Sequence, residues 1–237
     1  MGRENRVEIE ILSEGAFESA LVQLAAGERL VSEAGAMYRA SSNIDIDVTT
    51  RSRGRGGILG GVERQLAGES FFLSTYCAGE GQPGEVGLAP TQQGELLSLD
   101  VDPSCSWLCA GGSYLASAPE LELDTQFQGF KGFLGGQNLF FVEVSGTGPL
   151  LVSAFGRVVE NQVEGALTVD TGHVVAFEST LDYQITKAGK SWLKSWLAGE
   201  GMVFQFSGRG RLLTQSHNPA EFGHALGPKL PERSEGT

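Results

Sequence analysis

The chain has 237 residues, a length that suits one all-β domain or several small fused units. Hydrophobic residues make up 41%, enough to form a core, and the 34 glycines show no Gly-x-y period, which excludes collagen and indicates many tight turns. A formal net charge of −12 disfavours general nucleic-acid binding, because phosphate contacts need a basic surface. Three cysteines, together with no apolar stretch of signal or membrane-spanning length, predict a reduced, cytoplasmic protein.

The predicted strands come in three similar groups along the chain. The first group contains AGAMYRASSNIDIDV from Ala34 and GESFFLSTYCAGEG from Gly68. In 44–48 apolar and acidic residues alternate, which is the pattern of a half-buried strand. The second group repeats both segments, as AGGSYLASAPELELDT from Ala110 and GQNLFFVEVSGTG from Gly136.

The third group has the same two segments in the same order. They read TGHVVAFESTLDYQI from Thr171 and GEGMVFQFSGRG from Gly199. Short strands with frequent turns predict an all-β chain of three internal repeats, 18–92, 93–161 and 162–215, each a small β-sandwich. A unit of this size buries too little alone, so we expect the three to pack about an approximate threefold axis, share one core and cover each other's edge strands.

The chain closes with a region, 216–237, of different character. Asn218 is a typical N-cap, Pro219 suits the first helical position, and Gly227-Pro228 is a stop signal. These residues predict one short helix over 219–226, followed by a tail.

A family resemblance comes from the order of several segments. They are AGESFFLSTYCA, GGQNLFFVEVSGTGPLLVSAFG, DTGHVVAFESTLDYQI, FSGRGRLLTQS and NPAEFGHALGPKLP. Together they resemble the "altered inheritance of mitochondria" family of mitochondrial biogenesis proteins, in its uncharacterised prokaryotic branch, over about residues 7–230. The resemblance implies three subdomains of double-stranded β-helix type, similar in fold to the tryptophan RNA-binding attenuation protein. It implies no catalytic residues.

Two surface segments are candidate binding sites. In 187–197, KAGKSWLKSWL, the side chains of Trp192 and Trp196 would share one apolar stripe on a helical turn, flanked by lysines. Such a stripe suits a membrane interface or a partner groove, and it equally suits core or subunit packing. In RSRGRGGILGG, Arg51, Arg53 and Arg55 lie in a glycine-rich basic segment that could hold an anion or RNA, or be a solvated connection.

Other motifs favour structural interpretations. Gly79–Gly84 matches a dinucleotide-binding spacing, but no helix follows, so we interpret it as a hairpin turn. Cys105 and Cys109 are too far apart on one strand to share zinc. His217, Glu221 and His224 could meet on the C-terminal helix, but surface positions are the common case, and we expect no metal and no cofactor.

The sequence contains no nucleophile–base–acid arrangement, and it favours a non-enzymatic protein. We expect an interaction or scaffold protein that binds partner proteins and associates with itself. Two alternatives stay open. One is an RNA or small-ligand binder that uses the clefts between repeats, although the net charge makes nucleic acid the weaker ligand. The other is a protein that associates peripherally with membranes through Trp192 and Trp196.

Overall fold

The computed structural model describes residues 7–14, 17–49, 72–127, 140–187 and 202–231. Within these residues there are seventeen β-strands, one α-helix and two single 3₁₀ turns. The prediction of an all-β chain with one short C-terminal helix is therefore confirmed.

The strands fall into three sets, preceded by one extra strand at the N-terminus. The extra strand is β1 (Glu8–Glu14). The N-terminal set is β2 (Phe17–Leu24), β3 (Arg29–Glu33), β4 (Met37–Ala40), β5 (Ile44–Thr49), β6 (Leu73–Ala78) and β7 (Gly84–Leu88). The middle set is β8 (Leu96–Val101), β9 (Trp107–Ala110), β10 (Tyr114–Ser117), β11 (Glu122–Phe127), β12 (Phe140–Ser145) and β13 (Gly148–Ser153).

The C-terminal set reaches the same arrangement with fewer, longer strands. It consists of β14 (Val158–Asp170), β15 (Val174–Glu178), β16 (Leu181–Lys187) and β17 (Met202–Gln215). Gly165 of β14 and Gly208 of β17 lie opposite each other, both with a φ of +110°. Only glycine adopts this conformation readily, so the paired glycines let a long two-stranded ribbon change direction without interrupting its hydrogen bonds.

Three antiparallel sheets result. The first has the order β1-β2-β7-β4, and the second has the order β5-β6-β3-β10-β13-β8. The third has the order β11-β12-β9-β15-β17-β14, with β16 added alongside β17.

The strand pairing recurs from set to set. In the N-terminal and middle sets, the first and third strands flank the sixth, and the second and fourth flank the fifth. The two halves of β14 and of β17 do the same in the C-terminal set. Consecutive sets are joined by one ladder each, β3 with β10 and β9 with β15. The repeat boundaries and the threefold axis expected from the sequence stay predictions.

The buried side chains of the described residues form three clusters rather than one shared core. Each cluster belongs mainly to one set and takes a few residues from a neighbouring set. The cluster of the N-terminal set, for example, includes Leu96, Leu115, Ala116 and Leu151 from the middle set. The sets therefore stabilise one another through side chains as well as through hydrogen bonds.

The segment 79–84 is not a hairpin turn, so that interpretation was wrong. It connects β6 in the second sheet to β7 in the first sheet, and these two strands do not pair. A glycine-rich turn between two apolar strands looks the same in sequence whether the strands pair or lie in facing sheets.

The C-terminal helix, α1 (Pro219–Leu226), has the bounds expected from the sequence. The side chain of Asn218 caps it by accepting hydrogen bonds from the backbone N–H groups of Ala220 and Glu221. The Asn218 amide also donates to Asp170 Oδ1 at 3.1 Å, which fixes the start of α1 to the end of β14.

Candidate functional site

Three long connections leave the sheets at equivalent places: between the fourth and fifth strands of the N-terminal and middle sets, and between β16 and β17 in the C-terminal set. Their bordering pairs in the ladders are Thr49 with Leu73, Phe127 with Phe140, and Lys187 with Met202. The connecting segments 50–71, 128–139 and 188–201 lie outside the described residues.

The strand directions place the first two of these openings at the same end of the molecule. β3 runs toward the first opening, because its last residue, Glu33, lies opposite Leu73. β10 is antiparallel to β3, so β10 starts at this end. β9 leads into β10 through residues 111–113, and β9 therefore also ends here, beside the start of β12.

The third opening is at this end as well. β15 is antiparallel to β9, so β15 starts here. It follows β14 through the turn Thr171–His173, and the last residue of β14, Asp170, lies opposite Val203 at the start of β17. We call this end of the strands, marked by the three openings, the hairpin end. The helix α1 also begins there, because β17 ends beside the start of β15.

All five binding residues expected from the sequence lie in the segments attached to the hairpin end and outside the described residues. Arg51, Arg53 and Arg55 are in 50–71, and Trp192 and Trp196 are in 188–201. The strands that border the two segments meet at one end of the sheets, a relation that the sequence alone did not show.

Charge is unevenly distributed between these segments and the rest of the chain. The three segments contain seven of the seventeen Lys and Arg residues but three of the twenty-nine Asp and Glu residues. They therefore carry four net positive charges, whereas the rest of the chain carries sixteen net negative charges. An anionic partner would be attracted to the hairpin end and repelled elsewhere.

A groove of about 340 Å³ lies along the junction of β3 and β10. Its lining has an apolar part from both sets and a charged part from the N-terminal set. The apolar part includes Val31, Leu73, Leu121 and Leu123, and the charged part is Arg29, Asp45 and Asp47. This volume is at the lower limit for small-molecule sites, and two carboxylates against one guanidinium favour a ligand with an apolar body and a cationic group.

The cysteines take structural positions. Cys109 is fully buried in the cluster of the middle set, and burial raises the pKa of its thiol to about 12, which keeps it protonated and unreactive. Cys105 is half-buried, with its Sγ 4.0 Å from Ser179 Oγ. Cys77 lines the groove.

Two of the three histidines, His173 and His217, make contacts within the fold, and the third, His224, is exposed on α1. His173 Nδ1 lies 2.7 Å from the carbonyl oxygen of Gln215, and His217 Nδ1 lies 2.8 Å from Ser216 Oγ. The His217 ring packs against Phe155, at 5.2 Å between centroids. Among the described residues, no group of three His, Cys, Asp or Glu side chains could hold a metal ion.

None of the helices within the described ranges is long and apolar enough to cross a bilayer.

The family is identified by comparison with known proteins. The family description "Mitochondrial biogenesis AIM24" matches residues 9–217. The chain belongs to the mitochondrial biogenesis AIM24 family. An uncharacterized protein from Streptococcus pyogenes serotype M6 is 29% identical over 238 residues, covering 98% of this chain and 94% of the relative. A crystal structure of a Streptococcus pyogenes protein has a TM-score of 0.79 at 27% identity, covering 95% of this chain and all of the other.

The comparison confirms the family expected from the sequence, and the likeness to the tryptophan RNA-binding attenuation protein stays a prediction. The residues that sequence reasoning missed are those of the groove. Asp45 and Asp47 looked like ordinary outward positions of an alternating strand. They line the groove because β10 and β11 of the next set lie beside this face, and such a neighbour leaves no mark in the local pattern.

Proposed function

We propose that this AIM24-family protein is a non-enzymatic scaffold that binds partner proteins at its hairpin end and associates with further copies of itself. The observation that carries the proposal is that the strands bordering three long connections open at the same end of the sheets. Loops held by a rigid scaffold are the usual place for binding residues. The cytoplasm is the proposed location.

Charge supports partner binding at this end. The hairpin-end segments have a net positive charge, and the rest of the chain is strongly acidic. Because like charges repel, a partner with an acidic surface would meet the hairpin end first and would be kept from the other faces. Trp192 and Trp196 would supply apolar anchors, since tryptophan is enriched where binding energy is concentrated.

The test is affinity capture from the native cell with the full chain as bait, followed by mass spectrometry. We compare the wild type with Trp192→Ala/Trp196→Ala and with Arg51→Glu/Arg53→Glu/Arg55→Glu. Phe17→Ala is the control, because Phe17 is an exposed aromatic residue outside the three segments. The proposal predicts partners that either hairpin-end variant loses and Phe17→Ala keeps, and that bind the purified wild type. Wild-type bait that retains nothing beyond the background would contradict it.

Peripheral membrane association is a second candidate, and the basic charge of the three segments favours it. Tryptophan and lysine together suit the interface of an anionic bilayer. Flotation with phosphatidylcholine vesicles, with and without phosphatidylserine, tests it. The candidate predicts flotation that needs the anionic lipid and is lost in Trp192→Ala/Trp196→Ala. Flotation that this variant does not change would rule it out.

Small-ligand binding in the groove is a third candidate, and the mixed lining at the β3–β10 junction favours it. It predicts that amines with an apolar body raise the melting temperature of the wild type but not of Asp45→Asn/Asp47→Asn. RNA stays the weaker alternative because of the net charge of −12. Retention on RNA at physiological salt that depends on Arg51, Arg53 and Arg55 would revive it.

A further inference from the structure

Among the described residues, two strand edges lack the partner from a neighbouring set that their counterparts have. β10 pairs with β3. β15, which takes the place of the third strand in the C-terminal set, pairs with β9, so each of these third strands binds the second strand of the preceding set. The third strand of the N-terminal set is β4, and among the described residues it pairs only with β7. The C-terminal half of β14, 164–170, corresponds to β3 and β9, and it pairs only with β17 in the described part of the chain.

The three third strands share one irregularity, which aligns them residue by residue. Each has a register shift at its second residue, between Met37 and Arg39, between Tyr114 and Ala116, and between Val174 and Ala176. The bulged residues are therefore Tyr38, Leu115 and Val175. Leu115 and Val175 are fully buried at junctions between sets, whereas Tyr38 is 48% exposed.

The opposite edge shows the same contrast. The three sets can be aligned at the alternating segments that begin at Ile44, Leu121 and Leu181. When this alignment is followed across the paired strands, Leu167 occupies the position that Leu30 and Trp107 occupy in the other two sets. Leu30 and Trp107 are buried, but Leu167 is only partly buried.

Val169, two residues further along β14, corresponds to Ser32 and Cys109. These two residues are fully buried, and Val169 is only partly buried. We call the ladders of β3 with β10 and of β9 with β15 the two closed junctions. Positions that a neighbouring set covers at these junctions are partly open to solvent on 164–170.

The hydrophobic clusters indicate which neighbour the C-terminal set lacks. The cluster of the N-terminal set is completed by Leu115 and Leu151 of the middle set, and the cluster of the middle set by Val175 and Leu213 of the C-terminal set. The cluster of the C-terminal set contains no residue of the N-terminal set within the described ranges. The next set in the series would complete it, and the first set of another copy has the matching strand.

We propose that copies of this chain associate head to tail, with β4 of one copy paired antiparallel to residues 164–170 of the next. The register follows from the two closed junctions, where Ser32 lies opposite Ala116 and Cys109 opposite Ala176. It places Val169 opposite Arg39 and Thr168 opposite Ala40 of the next copy. Tyr38 then packs against the cluster of the C-terminal set, as Leu115 and Val175 pack at the closed junctions.

The outer edges of β5, β11 and β16 are free in the described part of all three sets, so a free edge at those strands is ordinary for this fold. The outer edges of β1, β8 and the N-terminal half of β14 are also free in the described part of the chain, but no counterpart of these strands pairs with another set. Because the two edges of the new junction are different, the contact is heterologous, and it generates a ring or a filament rather than a symmetric dimer.

This inference rests on the self-association named in the proposed function and specifies its surface. Its failure would leave partner binding at the hairpin end untouched, because the capture experiment above uses other residues. The edge variants below alter neither the three segments nor the groove.

The experiment uses the full chain with one lysine on either edge, since a charged side chain on an edge strand blocks pairing with another strand. The variants are Tyr38→Lys and Thr168→Lys. The matched control is Val48→Lys on β5, an exposed residue on an edge that is free in the described part of all three sets. Sedimentation velocity over a dilution series measures association, and circular dichroism confirms that each variant is folded.

The wild type and Val48→Lys are expected to sediment faster with rising concentration, and Tyr38→Lys and Thr168→Lys to stay monomeric. An equal mixture of the two edge variants is expected to give a one-to-one dimer, because each variant keeps the edge that the other has lost. This complementation also shows that both variants are folded.

Four results would overturn the proposal. The wild type could remain monomeric at all concentrations, which would mean that the edges close on each other or are covered within one chain. Val48→Lys could lose association as fully as the edge variants. The edge variants could associate like the wild type. The mixture of folded edge variants could stay monomeric, which would exclude a head-to-tail contact.

Discussion

The C-terminal and N-terminal sets use the same strand pairing but fill it with different side chains. The C-terminal cluster is built on aromatic rings, with Phe177 5.2 Å from Phe141 and 5.0 Å from Phe206 between centroids. The N-terminal cluster consists mainly of alanine, valine and leucine, with Tyr76 as its one aromatic residue within the described ranges. The order of strands is thus the constant feature, and the packing inside each set is free to vary while the total volume is filled.

The largest expected effect is at Phe177. This residue is fully buried among aromatic rings, whereas its counterparts by register are Ser117 and Ala40. Replacing Phe177 by Ala removes the ring and leaves a cavity, which is expected to lower the free energy of unfolding by about 3–5 kcal/mol. Denaturant unfolding measures this. Phe222→Ala, at an exposed position of α1, is the control. Equal effects of the two variants would contradict the importance of the ring cluster.

The next prediction compares two bulged residues, Leu115 and Tyr38. Leu115→Ala is expected to cost about 2–5 kcal/mol, because Leu115 is buried in the cluster of the N-terminal set. Tyr38→Ala changes the same position in a set that no other set covers among the described residues. Tyr38 is 48% exposed and its ring lies beside Gly87 of its own set, so in the dilute protein the change is expected to cost less than Leu115→Ala. Thermal unfolding of both variants at low concentration checks the difference. A large loss in Tyr38→Ala would show that a part of the same chain covers this residue.

A smaller effect is expected where β15 meets β9. Arg211 Nε donates to Glu178 Oε1 at 2.6 Å, and its guanidinium lies 4.8 Å from the centre of the Trp107 ring. Arg211→Ala removes both contacts and is expected to cost about 1–2 kcal/mol.

Arg209→Ala is the control for this junction. The side chain of Arg209 is 83% exposed, and its pair with Glu164 is 3.8 Å long, so the change is expected to stay within about 0.5 kcal/mol. Chemical denaturation in low and high salt separates the two variants. Equal stability of both would mean that the Arg211 contacts do not hold the junction.

The smallest effect concerns pH. Burial raises the pKa of the Glu33 carboxyl above its ordinary value of 4.5, so the native state binds this proton more tightly than the unfolded chain does. The wild type therefore loses stability as the pH rises above that value. Glu33→Gln has no titratable group at this position. Its stability relative to the wild type is therefore expected to rise as the pH rises above 4.5. Exposed Glu120→Gln, with the same change of charge, is expected to show no such trend.

Local features were predictable from the sequence, and relations between distant strands were not. Asn218, Pro219 and Gly227 predicted the helix 219–226 because capping and stop signals act within a few residues. Alternation predicted strands such as 44–48 in the same way. The partner of each strand depends on the rest of the chain, so the crossing at 79–84 was misinterpreted as a hairpin. For the same reason Asp45 and Asp47 were not recognised as part of a groove.

The sets are joined in series within the chain, and in our proposal another copy completes the last junction. Hydrogen exchange with mass spectrometry tests this proposal most directly, because amides gain protection when a strand edge becomes paired. Peptides containing 37–40 and 164–170 are expected to exchange more slowly as the protein concentration rises, while those containing β5 do not change. Equal exchange of 164–170 in dilute and concentrated protein would contradict it.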